Sequence, residues 1–222
     1  MCGRYTLTAD LDMLRDVFGL NTVPDMLPPR YNIAPSQPVA VITNEQPDEL
    51  TFHKWGLVPS WSKDISIGNK MINARGETIH EKPSFRSAFK RRRCLIPADG
   101  FFEWRQKGGG KEPLFIHLND RKVFAMAGLW EVWNSPEGDE LRTCTIITTT
   151  PNSLMEPIHN RMPVILHPDD YAIWLAQDEQ PSGLLQALIR PFEPDDMTFY
   201  PVSTFVNRPG NDTPECIEPI AS

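Results

Sequence analysis

Cysteine at position 2, directly after the initiator methionine, is the residue of this 222-residue chain with the most distinctive chemistry open to it. Initiator Met is normally removed before a small residue, and Cys2 would then carry a free α-amine beside its thiol. Such an amine titrates at about 7.7–8.0, well below lysine, so much of it is neutral near physiological pH. A neutral amine attacks an aldehyde to give a Schiff base. The vicinal thiol can then close on the imine carbon as a thiazolidine. The same pair also suits an N-terminal-nucleophile hydrolase, in which the α-amine is the base for the side chain. A third reading makes Cys2 an incidental residue of a frayed terminus. Gly3 lets backbone approach a ligand closely, and Arg4 adds a fixed cation with phosphate-matching geometry. Cys94, Cys144 and Cys216 are too widely spaced for a metal knuckle and too few for a disulfide scaffold, so no metal is expected. Cys94 and Cys144 fall in apolar runs and read as buried thiols.

Those residues need a scaffold, and the pattern describes one of short strands. Residues 39–43 and 50–55 read as strands, the second alternating Leu50, Phe52 and Lys54 against Thr51, His53 and Trp55. Residues 94–96, 101–105, 114–118, 123–129, 143–148 and 197–202 read likewise, with a turn at 108–110. Helices are few. Thr8 is placed to cap one whose Leu11, Leu14 and Phe18 share a face. Pro83 suits the first turn of another through Phe85 and Phe89. Residues 171–175 and 184–189 form short helices, the second with Ser182 as its cap. Proline, 22 of 222 residues, is spread along the chain and interrupts helices and central strands alike. Together these predict an α+β fold with a closed or nearly closed sheet. With no internal repeat and no linker, residues 1–222 are expected to form a single domain.

A net charge of −7 argues against a general nucleic-acid binder. The charge is uneven, however. Lys82, Arg86, Lys90, Arg91, Arg92 and Arg93 lie in an acid-free run, whereas the tail carries Glu193, Asp195, Asp196, Asp212, Glu215 and Glu218. A local basic face would bind a phosphate chain at one restricted place, and the same run also reads as a solvated helix surface. No stretch approaches the roughly 18 apolar residues of a membrane span. There is no basic-then-apolar leader either, so a cytoplasmic protein is expected.

Seven motifs then fall in one order along residues 1 to 203. They are Met1-Cys2-Gly3-Arg4-Tyr5, Arg30-Tyr31-Asn32-Ile33-Ala34-Pro35 and Trp55-Gly56-Leu57-Val58-Pro59-Ser60-Trp61, followed by Ile72-Asn73-Ala74-Arg75-Gly76-Glu77. Pro97-Ala98-Asp99-Gly100-Phe101-Phe102-Glu103-Trp104, His159-Asn160-Arg161-Met162-Pro163 and Pro201-Val202-Ser203 complete the series. In these motifs the chain resembles the SOS-response-associated peptidase family, the abasic-site-processing proteins. The resemblance implies curved antiparallel and mixed sheets forming a barrel-like core flanked by short helices. It implies a positively charged channel for single-stranded DNA, with an abasic sugar presented to the N-terminal cysteine. The implied product is a thiazolidine crosslink that shields abasic sites, made by a monomer without cofactor or membrane and associated with the nucleoid when DNA is damaged.

Carried over at the matching positions, Cys2 is the covalent residue, Asn73 positions its amine and the sugar, Glu103 is the acid/base, and His159 assists with the opened sugar and with reversal. Arg4, Arg75 and Arg161 are the foremost phosphate contacts, with Arg86 next. Asn32 and Pro35 fall where the family's chain lines the DNA groove, and Trp61 is placed to stack on a base or wedge beside the lesion. Trp55, Trp104 and Trp174 are expected in the core. One departure is Ser62, which stands where some members carry a second aromatic. The competing function is an N-terminal-cysteine peptidase or amidohydrolase, the activity that the family's name suggests. The acid-free basic run and the three arginines favour DNA over a peptide.

Overall fold

The computed structural model describes residues 2–120 and 122–220. Among these, five strands close into a ring. β10 (Glu140–Thr149) pairs in parallel with β4 (Thr51–Trp55), β4 pairs with β3 (Pro38–Thr43), and β3 pairs with β6 (Arg93–Ala98). β6 then pairs with β9 (Phe124–Asn134), which returns to β10 with Cys144 opposite Trp130. β5 (Asn73–Arg75) lies parallel on β10, while β11 (Met162–Pro163) and β12 (Ile165–Leu166) extend β10 and β9. A second, open antiparallel sheet runs β13 (Met197–Pro201), β8 (Gly110–Leu118), β7 (Gly100–Lys107), β1 (Tyr5–Leu7) and β2 (Arg30–Ile33). The barrel-like α+β expectation is met.

Closure of the ring makes its interior apolar. Cys94, Ile96, Met126, Cys144 and Ile146 are all buried, and Trp55 meets the Tyr5 ring edge-on at 5.3 Å, joining barrel to open sheet. Trp55 and Trp174 are core residues as expected. Trp104 instead belongs to a smaller cluster on the outer face of the open sheet, with Phe102, Phe115 and Val206. The ring also holds a costly group. His53 is buried on β4, with neither ring nitrogen hydrogen-bonded among the described residues, 5.7 Å from the Trp130 ring.

Helices are short and peripheral: α1 (Leu11–Phe18), α2 (Arg86–Arg91), α3 (Tyr171–Trp174) and α4 (Ser182–Ala187). Three details of the sequence reading need correction. The cap of α1 is Asp10, which accepts from the Met13 amide, because the Thr8 hydroxyl donates instead to Asp99. Pro83 lies in a turn ahead of α2 rather than in its first turn. Ser182 is the first residue of α4 and makes no capping bond.

The basic run is also divided. Arg93 is fully buried, and its guanidinium donates to the carbonyls of Phe89, Lys90, Trp174 and Ala176 at the C-terminal ends of α2 and α3. Arg92 pairs with the buried Glu131 at 2.7 Å. The run therefore serves partly to cap helices, where carbonyl groups lack intrahelical partners.

Burial lowers the His53 pKa from 6.5 to about 4, and Arg142 adds to the effect. In the unfolded chain this imidazole binds a proton more readily. Its contribution to stability is therefore complete above about pH 6.5 and is lost as pH falls towards 4. The loss amounts to about 3 kcal/mol at 1.36 kcal/mol per unit. Urea titrations between pH 7 and 4 should show this dependence, and His53→Phe should flatten it. An equally steep dependence in His53→Phe would assign the acid sensitivity to other groups.

Candidate active site

The short strand β1 carries Cys2 to its place. β1 lies between β2 and β7, with Tyr5 opposite Ile33 on one side and Phe101 on the other. On the β7 side the Phe102 amide donates to the Arg4 carbonyl at 2.9 Å. This sets Cys2 beside the β7 face that bears Glu103. Cys2 is fully buried and Glu103 nearly so, at 3% exposure. From the barrel side, β5 brings Asn73, whose Nδ2 donates to the Cys2 carbonyl at 2.9 Å. Asn73 Oδ1 is buried and accepts no hydrogen bond among the described residues.

His159 follows a turn after β10, and its Nδ1 accepts the Arg161 backbone N–H at 3.0 Å. With Nδ1 as acceptor, the neutral form of the ring carries its proton on Nε2. The Glu103 carboxyl is raised above the usual carboxylate range by burial, an effect that a cationic His159 nearby would partly oppose. Burial also pushes the Cys2 thiol up, and the Glu103 carboxylate pushes it further in the same direction. Both groups therefore hold their protons more tightly than they would in water. A thiol in this setting is a poor primary nucleophile.

Outside this buried core an open cleft of about 920 Å³ is walled by Asn73, His159 and Asn160 together with Lys70, Arg75, Glu77, Thr148 and Arg161. Arg75 is exposed. Arg161 is anchored, with Nη2 donating to the Thr148 carbonyl at 2.6 Å. Its fork also meets Glu77, at 2.6 Å from Nη1 to Oε1 and 2.9 Å from Nη2 to Oε2. Sequence reasoning gave no role to Lys70 or Thr148, which lie outside the quoted motifs. Glu77 and Asn160 lie inside them, yet a charged or amide side chain at those positions carries no sign of its orientation.

The structure thus gathers Cys2, Asn73, Glu103, His159, Arg75 and Arg161. Arg4, Asn32 and Arg86 stand apart from the cleft walls. Arg4 donates to Asn32 Oδ1 at 2.9 Å and to the carbonyls of Val206 and Asn207 at 2.8 and 3.2 Å, with its guanidinium over Trp104. Asn32 is fully buried, and its Nδ2 faces the carbonyls of Val206, Arg208 and Asn211. Both residues hold the C-terminal segment in place. Arg86 opens α2 and is exposed. Pro35 starts a tight turn in which Ser36 takes φ 70° and donates to Asn69 Oδ1 at 3.1 Å.

Trp61 is 60% exposed and protrudes from the loop after β4. That loop is tied down at its base. Trp133 Nε1 donates to the Ser62 carbonyl at 2.7 Å, while the Ser62 hydroxyl donates to the Asp64 carbonyl within the loop. The 3-10 turn Ile65–Lys70 crosses β4's end so closely that a Cβ on Gly56 would lie 2.7 Å from the Gly68 carbonyl oxygen. Side chains are excluded at both glycines for this reason.

The arrangement matches a described family over most of the chain. The family model for the SOS response associated peptidase (SRAP) fits residues 1–209. The chain belongs to the SRAP family. Abasic site processing protein YoqW of Bacillus subtilis (strain 168) is 48% identical over 225 residues, covering 98% of this chain and 99% of that protein. Abasic site processing protein HMCES of Gallus gallus is 37% identical over 265 residues, covering 99% of this chain and 78% of that protein. A crystal structure of a protein from Bacteroides thetaiotaomicron superposes with a TM-score of 0.90 at 30% identity, over 99% of this chain and all of that one. The SRAP fold is therefore shown both by sequence and by architecture.

The placement of Arg4 yields a test. With its fork engaged by internal acceptors, Arg4→Ala should cost about 2 kcal/mol of stability, as expected for lost hydrogen bonds to a charged group. Urea unfolding would check this, and an unchanged stability would mean that these bonds do not hold the C-terminal segment.

Proposed function

We propose that this protein captures abasic sites in single-stranded DNA by covalent attachment to Cys2. The observation that carries the reading is the placement of Cys2 between the Asn73 amide and a buried carboxyl, Glu103, that is disposed to hold a proton. The named activity of YoqW and HMCES, abasic site processing, supports it.

The mechanism follows from the groups present. Loss of Met1 gives Cys2 an α-amine, and Asn73 Oδ1, which accepts no bond among the described residues, is suited to accept one of its N–H bonds. An abasic deoxyribose opens to an aldehyde, and the neutral amine adds to its carbon to give a carbinolamine. Protonated Glu103 delivers a proton to the departing hydroxyl, so water leaves and the imine forms. The thiol then adds across the C=N bond, its sulfur to carbon and its proton to nitrogen, which closes the thiazolidine. The net change is protein plus DNA minus one water. His159, with its proton on Nε2, would serve the released sugar hydroxyl and the reverse reaction. Both nucleophiles come from one residue, so the scheme requires no cofactor.

A hydrolase in which the Cys2 thiol attacks first is less well supported, since burial and Glu103 both hold that thiol protonated. Arg75 and Arg161 supply the phosphate contacts, Lys70 adds charge to the same cleft, and Trp61 is exposed to stack on a base. The reading implies one domain acting as a monomer in the cytoplasm, at the nucleoid when DNA is damaged.

An oligonucleotide carrying an abasic site should give a heat-stable shifted band on denaturing electrophoresis. Cys2→Ala should abolish the band, and Cys2→Ser should leave only a labile imine. A stable band with Cys2→Ala would move the covalent role elsewhere and sink the proposal. Reaction should be much slower within a continuous duplex than in a single strand.

Glu103→Gln removes the titratable proton and should slow crosslinking by roughly 10²–10⁴ while leaving affinity for an undamaged strand intact. In the wild type the imine step should weaken as pH rises through the raised Glu103 pKa, because the required form is the protonated one. Single-turnover rates across pH decide this. A wild-type rate for Glu103→Gln would reduce Glu103 to a structural carboxylate.

A further inference from the structure

The carboxylate of Glu77 sits where the cleft should be most hospitable to an anion. It engages Arg161 with two parallel contacts of 2.6 and 2.9 Å. A guanidinium fork offers this geometry equally to a carboxylate and to a phosphodiester. Arg75 precedes it by two residues, is exposed, and lines the same cleft. We infer that the Glu77 carboxylate occupies the seat of a DNA phosphate and must leave it for a strand to bind, so that Glu77 sets how weakly the cleft holds undamaged DNA. This inference rests on the reading of the cleft as a single-strand site.

The two partners are anchored unequally, and this decides which one moves. The Arg161 side chain is only 14% exposed and is held by the Thr148 carbonyl as well as by Glu77. The Glu77 side chain is 45% exposed. Its backbone, in contrast, is fixed. The preceding Gly76 carbonyl accepts from Gln186 Nε2 at 3.0 Å, and a Cβ on Gly76 would lie 2.2 Å from Ile189 Cγ2. The rotatable part is thus the Glu77 side chain alone, which can swing into solvent while the arginine stays.

The exchange replaces one anion by another at Arg161. Noncovalent binding therefore gains little from that arginine, and retention falls to the bond formed at Cys2. A strand without an aldehyde leaves, and one with an aldehyde is kept. In this way Glu77 contributes to lesion selectivity without touching the lesion.

The test uses a fluorescent undamaged oligothymidylate and anisotropy titrations over a range of salt. Glu77→Gln should bind about 5–10-fold more tightly than wild type at low salt. The slope of log affinity against log salt should steepen by about 0.7, the increment for one further phosphate contact on a single strand. In an Arg161→Gln background the same substitution should give almost no gain. Glu77→Ala, with folding checked by thermal melting, should repeat the tightening without the glutamine amide. Unchanged or weaker binding by both Glu77 variants would overturn the inference and make Glu77 a support for the Arg161 fork. If the wild type shows no salt-dependent binding at all, the single-strand reading itself fails, and the inference fails with it.

Discussion

The site depends on how the Asp99 carboxylate is satisfied. One oxygen accepts the Thr6 hydroxyl, while the other accepts the backbone N–H and hydroxyl of Thr8 and the Ala9 N–H. Asp99 occupies the step from β6 in the barrel to β7 in the open sheet. It therefore ties the end of β1 to the point where the chain leaves one sheet for the other. Tyr5 and Phe101 come into register as a result, and so Cys2 is held near Glu103. A three-residue strand has few backbone bonds of its own to fix its place. The carboxylate supplies what the strand lacks, and the residue proposed to do the chemistry is positioned from behind.

Within that frame the protein separates two kinds of electrostatics. The buried layer, Cys2 and Glu103, is kept proton-rich by lost solvation. The open layer, Lys70, Arg75 and Arg161, carries fixed charge in a cleft on a protein whose net charge is −7. On the proposed reading, proton transfer and phosphate binding would therefore answer to different variables, pH for the first and salt for the second. An acidic surface around a small cationic cleft also suppresses loose association with bulk DNA.

Much of the fold could be read from the chain, because its signals are local. Alternation in β4 places His53 and Trp55 inwards, and Leu14 faces the core from α1, as periodicity predicts. What escaped was decided by distant partners. Thr8 looks like a helix cap until Asp99, 91 residues on, takes its hydroxyl. Asn32 and Arg4 read as DNA ligands from the chain, which gives no sign that both also hold the carbonyls of residues 206 to 211. Arg93 looks like part of a basic face, yet it is the one member of the run enclosed by two helix ends. The gathering of Cys2, Asn73, Glu103 and His159 was legible only through the order of whole motifs. No single motif states that strands β1, β5 and β7 converge.

The clasp made by Arg4 and Asn32 bears on when the proposed site is complete. Both are held by carbonyls at 206, 207, 208 and 211, which follow them in the chain by 174 to 203 residues. A ribosome makes Cys2 long before those carbonyls. On the proposed reading, a nascent chain that has lost Met1 carries an amine and a thiol on Cys2 with neither the Asn73 bond nor the enclosing sheet in place. The segment at 206–211 fastens Arg4, two residues from Cys2. Synthesis order and assembly order run in opposite directions here, so selection of one kind of aldehyde would wait on a segment made much later than the residue that reacts.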